Sequence, residues 1–186
     1  MTATNTVVKQ TTKIFHQIKN FYCVSMCRSE DVVLEEMQKV VFMTDSIKKK
    51  VFISGSKSIS KLTEKMFAVL DKIMQNGDTI LVGDCYGADL AVQKYLLKNG
   101  YTDVVVYCSG EQPRNHVVGT VHSCAKESAG LKGRAFQYVK DGLMCNDCDE
   151  AYVFWDGKSP GTLENALRVM QRNKKFHYVF SEGVLR

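Results

Sequence analysis

The sequence predicts an α/β fold: a Rossmann-like three-layer sandwich with a mostly parallel sheet of at least five strands, preceded by N-terminal helices. Two observations carry this expectation. From residue 50 onward, short apolar runs alternate with stretches whose apolar residues recur at helical spacing. The apolar runs are continuous rather than alternating, as strands buried on both faces require.

The first strand is expected over 51–55, ending at a glycine turn. Leu62, Met66, Val69, Leu70 and Ile73 then mark a helix that Asn76-Gly77 closes. A second strand covers 79–82. Gly87-Ala88-Asp89 opens a second helix carrying Leu90, Val92, Leu96 and Leu97, closed by Asn99-Gly100. The third strand is 104–108. A long polar connection follows, then a helix within 125–139, weakened early by Gly130 and Gly133. Strands at 151–155 and 176–180 flank a helix marked by Leu163, Ala166, Leu167 and Met170.

Residues 1–47 read as a helical extension to a domain over 48–186. Ile14, Phe15, Ile18, Phe21 and Tyr22 have loose helical spacing, and Val32, Val33, Met37, Val40 and Val41 form a second amphipathic stretch. So short a segment would have too small a core to stand alone, so packing on the domain or oligomer contact is expected.

Apolar residues make up 45% of the chain and charged residues 24%, an ordinary globular composition. No run reaches the roughly 18 apolar residues a membrane span needs, and the first residues lack the pattern of a secretory signal. Seven cysteines, an odd number placed within regular elements, suit a reducing compartment. A cytoplasmic location is therefore expected. The net charge of +5 fits an anionic small ligand without demanding nucleic acid. The densest basic run, Lys48-Lys49-Lys50, reads as a solvated strand entrance, with a polyanion contact as the alternative.

Ligands in such folds bind beyond the carboxyl ends of the strands, so the turns there hold the candidate site. The most informative is 155–164. It runs from Trp155 through Asp156, Gly157, Lys158, Ser159 and Pro160 to Gly161, Thr162 and Glu164 at a helix start. Backbone N–H groups at such a start lack intrahelical partners and hold phosphate well. Lys158, Ser159, Gly161 and Thr162 are candidate ligand contacts. Trp155 is a cleft wall or a surface for a base. Glu164 is either a helix-dipole charge or a proton-transfer group.

Gly55, Ser56 and Lys57 form a second candidate loop, although it matches neither a dinucleotide fingerprint nor a Walker loop. A third contains Gly83, Asp84, Gly87 and Asp89. Asp84 is suited to accepting hydrogen bonds from a ribose or base, and Asp89 is either a ligand contact or an early-turn helix charge. Arg134 can pair with phosphate through two parallel hydrogen bonds. Arg114 and His116 are further contacts on the same side. Cys145 and Cys148 form a single C-x-x-C, read as packed thiols, with zinc and redox pairing as alternatives. No cofactor and no metal are expected.

The chain resembles the SLOG group of Rossmann-like proteins, which includes the lysine-decarboxylase-like cytokinin-activating hydrolases and the DNA-processing DprA type. It is most similar to the small YspA-type bacterial and phage branch. The resemblance rests on 52–59 (Phe-Ile-Ser-Gly-Ser-Lys-Ser-Ile), on 77–84 followed by Gly87-Ala88-Asp89, and on 155–162. It covers about residues 50–182. The hydrolase branch, to judge by the resemblance, cleaves the base–ribose bond of nucleoside 5′-monophosphates. Its late motif is Pro-Gly-Gly-x-Gly-Thr-x-x-Glu. Gly161 and Thr162 match its Gly-Thr, whereas Lys158 and Ser159 replace the paired glycines. Asn165 stands at the place of the glutamate, with Glu164 one position earlier. The resemblance makes Arg134 the counterpart of a catalytic arginine.

The expected function is binding of a nucleotide or nucleotide-derived phosphorylated ligand, as a sensor or sequestering module. N-glycosidic hydrolysis by Glu164, Arg134 and Asp84 is the alternative, and single-stranded DNA binding ranks lowest. The resemblance also implies a homo-oligomer, most simply a dimer.

Overall fold

A computed structural model describes residues 48–181 of the chain; the helices expected in 1–47 lie outside the described residues. Six strands and four helices follow in order: β1 (Lys50–Gly55), α1 (Glu64–Asn76), β2 (Thr79–Gly83), α2 (Ala88–Lys98), β3 (Val104–Cys108), β4 (Thr120–Ser123), α3 (Gly133–Asp147), β5 (Glu150–Trp155), α4 (Pro160–Gln171) and β6 (Lys175–Phe180). The sheet order is β4-β3-β2-β1-β5-β6. Every adjacent pair is parallel.

The continuous apolar strands are explained by what covers them. Val51, Ile53, Ile80, Val82, Val104 and Val106 point to one face, where Met66, Leu70 and Ile73 of α1 and Val92 and Leu96 of α2 meet them. Their neighbours Phe52, Leu81 and Tyr107 point to the other face, against Met144 and Cys145 of α3 and Val169 of α4. With a period of two, a strand covered on both sides must be apolar at both parities. The expected three-layer sandwich is therefore present, with a parallel sheet and helices on both faces.

Helix ends follow their glycines. Gly77 adopts φ +71° and its N–H reaches back to the last turn of α1. Gly100 (φ +69°) closes α2 in the same way, with Tyr101 N donating to Leu96 O at 2.9 Å. The third helix departs from expectation. Gly130 and Gly133 both have positive φ, 125–130 is turns rather than helix, and α3 instead runs on past Val139 to Asp147. Cys145 is thereby placed inside α3 rather than in a linker.

The strand missed in the sequence is β4. It has no apolar signature because all four residues are exposed at the sheet edge. Its backbone ladder to β3 and the stacking of His122 on Tyr107, centroids 4.4 Å apart, hold it.

Lys48, Lys49 and Lys50 lie at the amino end of the sheet. Lys48 pairs with Asp103, while the Lys49 and Lys50 amides donate to Asp78 and Asp149, each at 2.8 Å. This is the solvated strand entrance, facing away from the carboxyl ends of the strands. No helix among the described residues is long and apolar enough to cross a membrane.

Two glycines make opposite predictions. At Gly87 (φ +82°) an added Cβ would lie 2.2 Å from the Lys57 carbonyl oxygen. At Gly142, inside α3, it would meet nothing within 4 Å. Gly87→Ala is expected to destabilise by about 2 kcal/mol or more, and Gly142→Ala to stabilise by roughly 0.5–1 kcal/mol. Urea denaturation of the two variants checks both signs.

Candidate functional site

The chain leaves β1 toward β2, β3 and β4, then returns to place β5 on the other side of β1. That reversal opens a crevice above the carboxyl ends of β1 and β5, the usual ligand position of such sheets. A cleft of about 630 Å³ occupies it. The loops after β1, β2 and β5 and the first half of α3 form its walls.

The wall between β1 and α4 is built around Asp156. Its Oδ2 accepts Ser58 Oγ at 2.5 Å. Its Oδ1 accepts Ser56 Oγ at 3.1 Å and the Lys158 and Ser159 amides at 3.0 and 2.8 Å. Burial pushes the Asp156 carboxyl up, but the hydrogen bonds from Ser58, these two amides and Ser56 outweigh it and hold the pKa at about 2. Ser56 also touches Thr162 Oγ1 at 3.2 Å, and its carbonyl accepts the Ala88 amide of α2 at 3.2 Å.

This clasp changes which groups at the α4 start are available. The Ser159 amide is taken by Asp156, Pro160 has no N–H, and Leu163 N bonds Ser159 O at 3.3 Å. The Gly161 and Thr162 amides, in the first turn of α4, have no hydrogen-bond partner among the described residues. Both residues line the cleft, and nothing lies within 4 Å of where a Gly161 Cβ would stand. Arg134, exposed in the first turn of α3, and Lys57, exposed after β1, complete this end.

The other end is built on β2. A Cβ on Gly83 would come within 2.3 Å of Asp89 Oδ2 and 2.9 Å of Lys140 Nζ. Glycine is therefore required for those two groups to settle on the strand terminus. Asp89 Oδ2 accepts the Cys85 amide at 3.1 Å, and Lys140 Nζ donates to Asp141 Oδ1 at 2.7 Å. Burial is the main cause that pushes Asp89 to about 6, opposed by the Lys140 charge and reinforced by Asp141. Burial works against the charged Lys140, but Asp141 and Asp89 overcome it and raise its pKa.

Of the residues singled out in the sequence, Gly55, Lys57, Gly83, Asp89, Arg114, Arg134, Ser159, Gly161 and Thr162 do line the cleft. Six others do not. Ser56 is fully buried behind the wall. Gly87 meets the Lys57 backbone. Lys158 is exposed outside the cleft. Trp155 donates Nε1–H to Ser159 O at 3.1 Å and stands beside Tyr178 and Phe180, so its ring steadies the turn.

Asp84 is also committed. Arg114 Nε donates to Oδ2 at 2.9 Å, Nη2 to Oδ1 at 2.5 Å, and the Arg114 amide to Oδ2 at 3.0 Å. Burial opposes the charge on Asp84, but these bonds and Lys140 hold its pKa below the usual range. The forked pair orients Arg114 at the cleft edge and leaves Asp84 saturated rather than free for a ribose.

Glu164 points elsewhere too. It sits 3.5 Å from Arg168 in an i,i+4 pair, and Arg168 lies 4.4 Å over the Tyr138 ring. Asn165 faces the cleft instead, donating to Ser54 Oγ at 3.1 Å and accepting from Arg168 at 2.8 Å. Neither Glu164 nor Asp84 is among the residues that line this cleft.

Ser58, in the turn expected after β1, also lines the cleft; sequence reasoning missed Gln137, Tyr138, Lys140 and Asp141, which line it too, and did not mark Asp156 as a structural hub. Arg134, Gln137, Lys140, Asp141 and Met144 recur at helical spacing. The signal was present, but as a mixed polar stripe whose phase depends on where α3 begins. Cys145 and Cys148 are buried, free thiols. Cys145 Sγ faces Asn165 O at 3.8 Å and Cys148 Sγ faces Cys145 O at 3.6 Å, consistent with packing. No cluster suited to metal binding occurs among the described residues.

The fold and site together define a parallel α/β protein with a cleft at the switch point of its sheet. No protein-family model, curated protein or solved structure matches the chain.

The two carboxylates titrate with opposite consequences. Asp156 is depressed from 3.8 to about 2, so its stabilisation is full above pH 4 and fades toward pH 2. Asp156→Ala is expected to cost about 1–2 kcal/mol at neutral pH, by analogy with lost helix caps, with the deficit shrinking between pH 4 and 2. Asp89 is raised from 3.8 to about 6. Its ionisation penalises the fold increasingly as pH rises through that interval, and Asp89→Asn should gain on wild type over the same range. Thermal unfolding across pH 3–7 reads both trends.

Proposed function

We propose that this cleft binds a nucleotide or a nucleotide-derived phosphorylated small molecule, and that the protein works as a sensor or sequestering module for it. The observation that carries the reading is the pair of unpartnered amides at Gly161 and Thr162. They open the positive end of α4 into a cleft that Arg134 and Lys57 also face. A phosphate there would gain two backbone donors, the helix dipole and one or two cationic side chains. The remaining volume suits a nucleoside-sized group.

Two placements support binding over turnover. The residue at the resembling hydrolases' glutamate position is Asn165, which cannot exchange a proton and is fixed by Ser54 and Arg168. Glu164 is turned to Arg168. The SLOG likeness of the loops after β1, β2 and β5 agrees with a nucleotide-class ligand. Single-stranded DNA gains no support, since the basic run at Lys48–Lys50 lies at the opposite end of the sheet, where Lys48 pairs with Asp103 and Lys49 with Glu150.

Mass spectrometry of small molecules released from the purified, denatured protein should find a phosphate ester. Titration calorimetry with a panel of nucleoside mono-, di- and triphosphates should show saturable binding without product. Arg134→Ala should weaken it roughly 10- to 100-fold, the value of a charged hydrogen bond. Arg134→Lys should recover part of that loss. Saturable binding that Arg134→Ala leaves unchanged would refute this anion site. Release of free base would make the protein an N-glycoside hydrolase instead.

A further inference from the structure

We infer that the inner end of the cleft, formed by Asp89, Lys140, Asp141 and Gln137, recognises the hydroxyl groups of a sugar, so that the ligand is a vicinal-diol-bearing phosphate ester of the ribo series. This rests on the phosphate reading above and adds to it the chemistry of the ligand's other half.

Four observations lead there. Asp89 and Lys140 are 8% and 5% exposed, yet both line the cleft. Burying a carboxylate and an ammonium group is costly unless their hydrogen-bonding capacity is filled. The protein fills only part of it. Asp89 Oδ2 takes the Cys85 amide, while Asp89 Oδ1 has no hydrogen-bond partner among the described residues. Lys140 commits a single hydrogen bond, to Asp141 Oδ1. One turn earlier on α3, Gln137 Oε1 is buried without a partner, and Gln137 lines the same cleft.

The wall thus offers acceptor, donor and acceptor in succession. A second phosphate does not suit it, because Asp89 and Asp141 repel an anion. A cation does not suit it either, because Lys140 stands between the two carboxylates. An apolar group would leave every one of these atoms unsatisfied. A neutral group that both donates and accepts meets the demand, and a hydroxyl does both. Two adjacent hydroxyls can donate to Asp89 and to Gln137 or Asp141 while accepting from Lys140. Gly83 belongs to the same device, because any side chain there would displace Asp89 and Lys140.

A site built to bond a hydroxyl discriminates strongly against the analogue without it, since the buried partners are then left unpaired. The test uses the full chain and the four ribonucleoside 5′-monophosphates paired with their 2′-deoxy counterparts, by titration calorimetry. At least one ribonucleotide should bind roughly 10- to 100-fold more tightly than its deoxy match. That preference should drop to about 3-fold or less in Gln137→Ala and in the charge-balanced double variant Asp89→Asn with Lys140→Met, while Arg134→Ala weakens both members of each pair alike. Gln137→Ala alters an uncharged, half-buried side chain and serves where the double variant fails to fold. Equal binding of every matched pair overturns the hydroxyl site and leaves the phosphate reading standing. A ribo preference unchanged in Gln137→Ala and the folded double variant also overturns it. Absence of binding by any of the eight overturns both.

Discussion

The Asp156 carboxylate joins segments that lie 100 residues apart in the chain, through Ser56 in the loop after β1, and the cleft exists because that junction holds. Neither loop is regular structure, so nothing in the sheet ladder dictates where it goes beyond its strand. One carboxylate accepting two hydroxyls and two amides settles the question. It draws 156–159 into a turn that delivers Pro160 at the first position of α4, where its fixed φ suits a helix start and its missing N–H costs nothing. Ser56 extends the same junction to α2 through its carbonyl and to α4 through Thr162. Three elements that line the cleft are thereby referenced to one point.

The junction also explains why so few amides remain at the α4 start. Asp156 consumes the Lys158 and Ser159 amides, proline removes a third, and what is left faces the cleft from Gly161 and Thr162. The proposed anion site would be narrow and fixed rather than broad. The opposite end works by different physics. There the charges are side chains from α2 and α3 settled on the bare end of β2, and their partial satisfaction makes that end demanding. One cleft thus combines a backbone-donor end with a side-chain acceptor–donor–acceptor end.

The layers were legible because burial on both faces imposes continuous apolar strands, as in 51–53 and 79–82, and because Gly77 and Gly100 mark helix ends by a conformation other residues avoid. β4 was not legible, since an exposed edge strand carries no apolar pattern and is defined by pairing with β3 alone. The shift of α3 had a visible cause in Gly130 and Gly133, but its consequence, a cleft-facing stripe from Arg134 to Met144, depended on the helix phase. The cleft lies at the strand-end turns that the sequence singled out. Roles within them were harder, because a loop sequence does not say which groups spend their hydrogen bonds on one another. Asp84 looked free and is saturated by Arg114. Asp156 looked ordinary and is the hub.

That distinction between committed and uncommitted polar groups separates holding a ligand from transforming it. Asp84 and Asp156 are both held below the usual carboxylate range by the bonds that fix them, and a group so fixed is a poor proton carrier near neutral pH. Asn165 has no proton to exchange. Among the cleft carboxylates, Asp89 is pushed toward neutrality, by burial above all. Its ionised form is underpaired within the protein, and a donor arriving with a ligand would restore what burial removed. Under the proposed hydroxyl recognition, a donor to its free oxygen would lower the Asp89 pKa again. The room for that carboxylate and for Lys140 beside it exists because Gly83 has no Cβ.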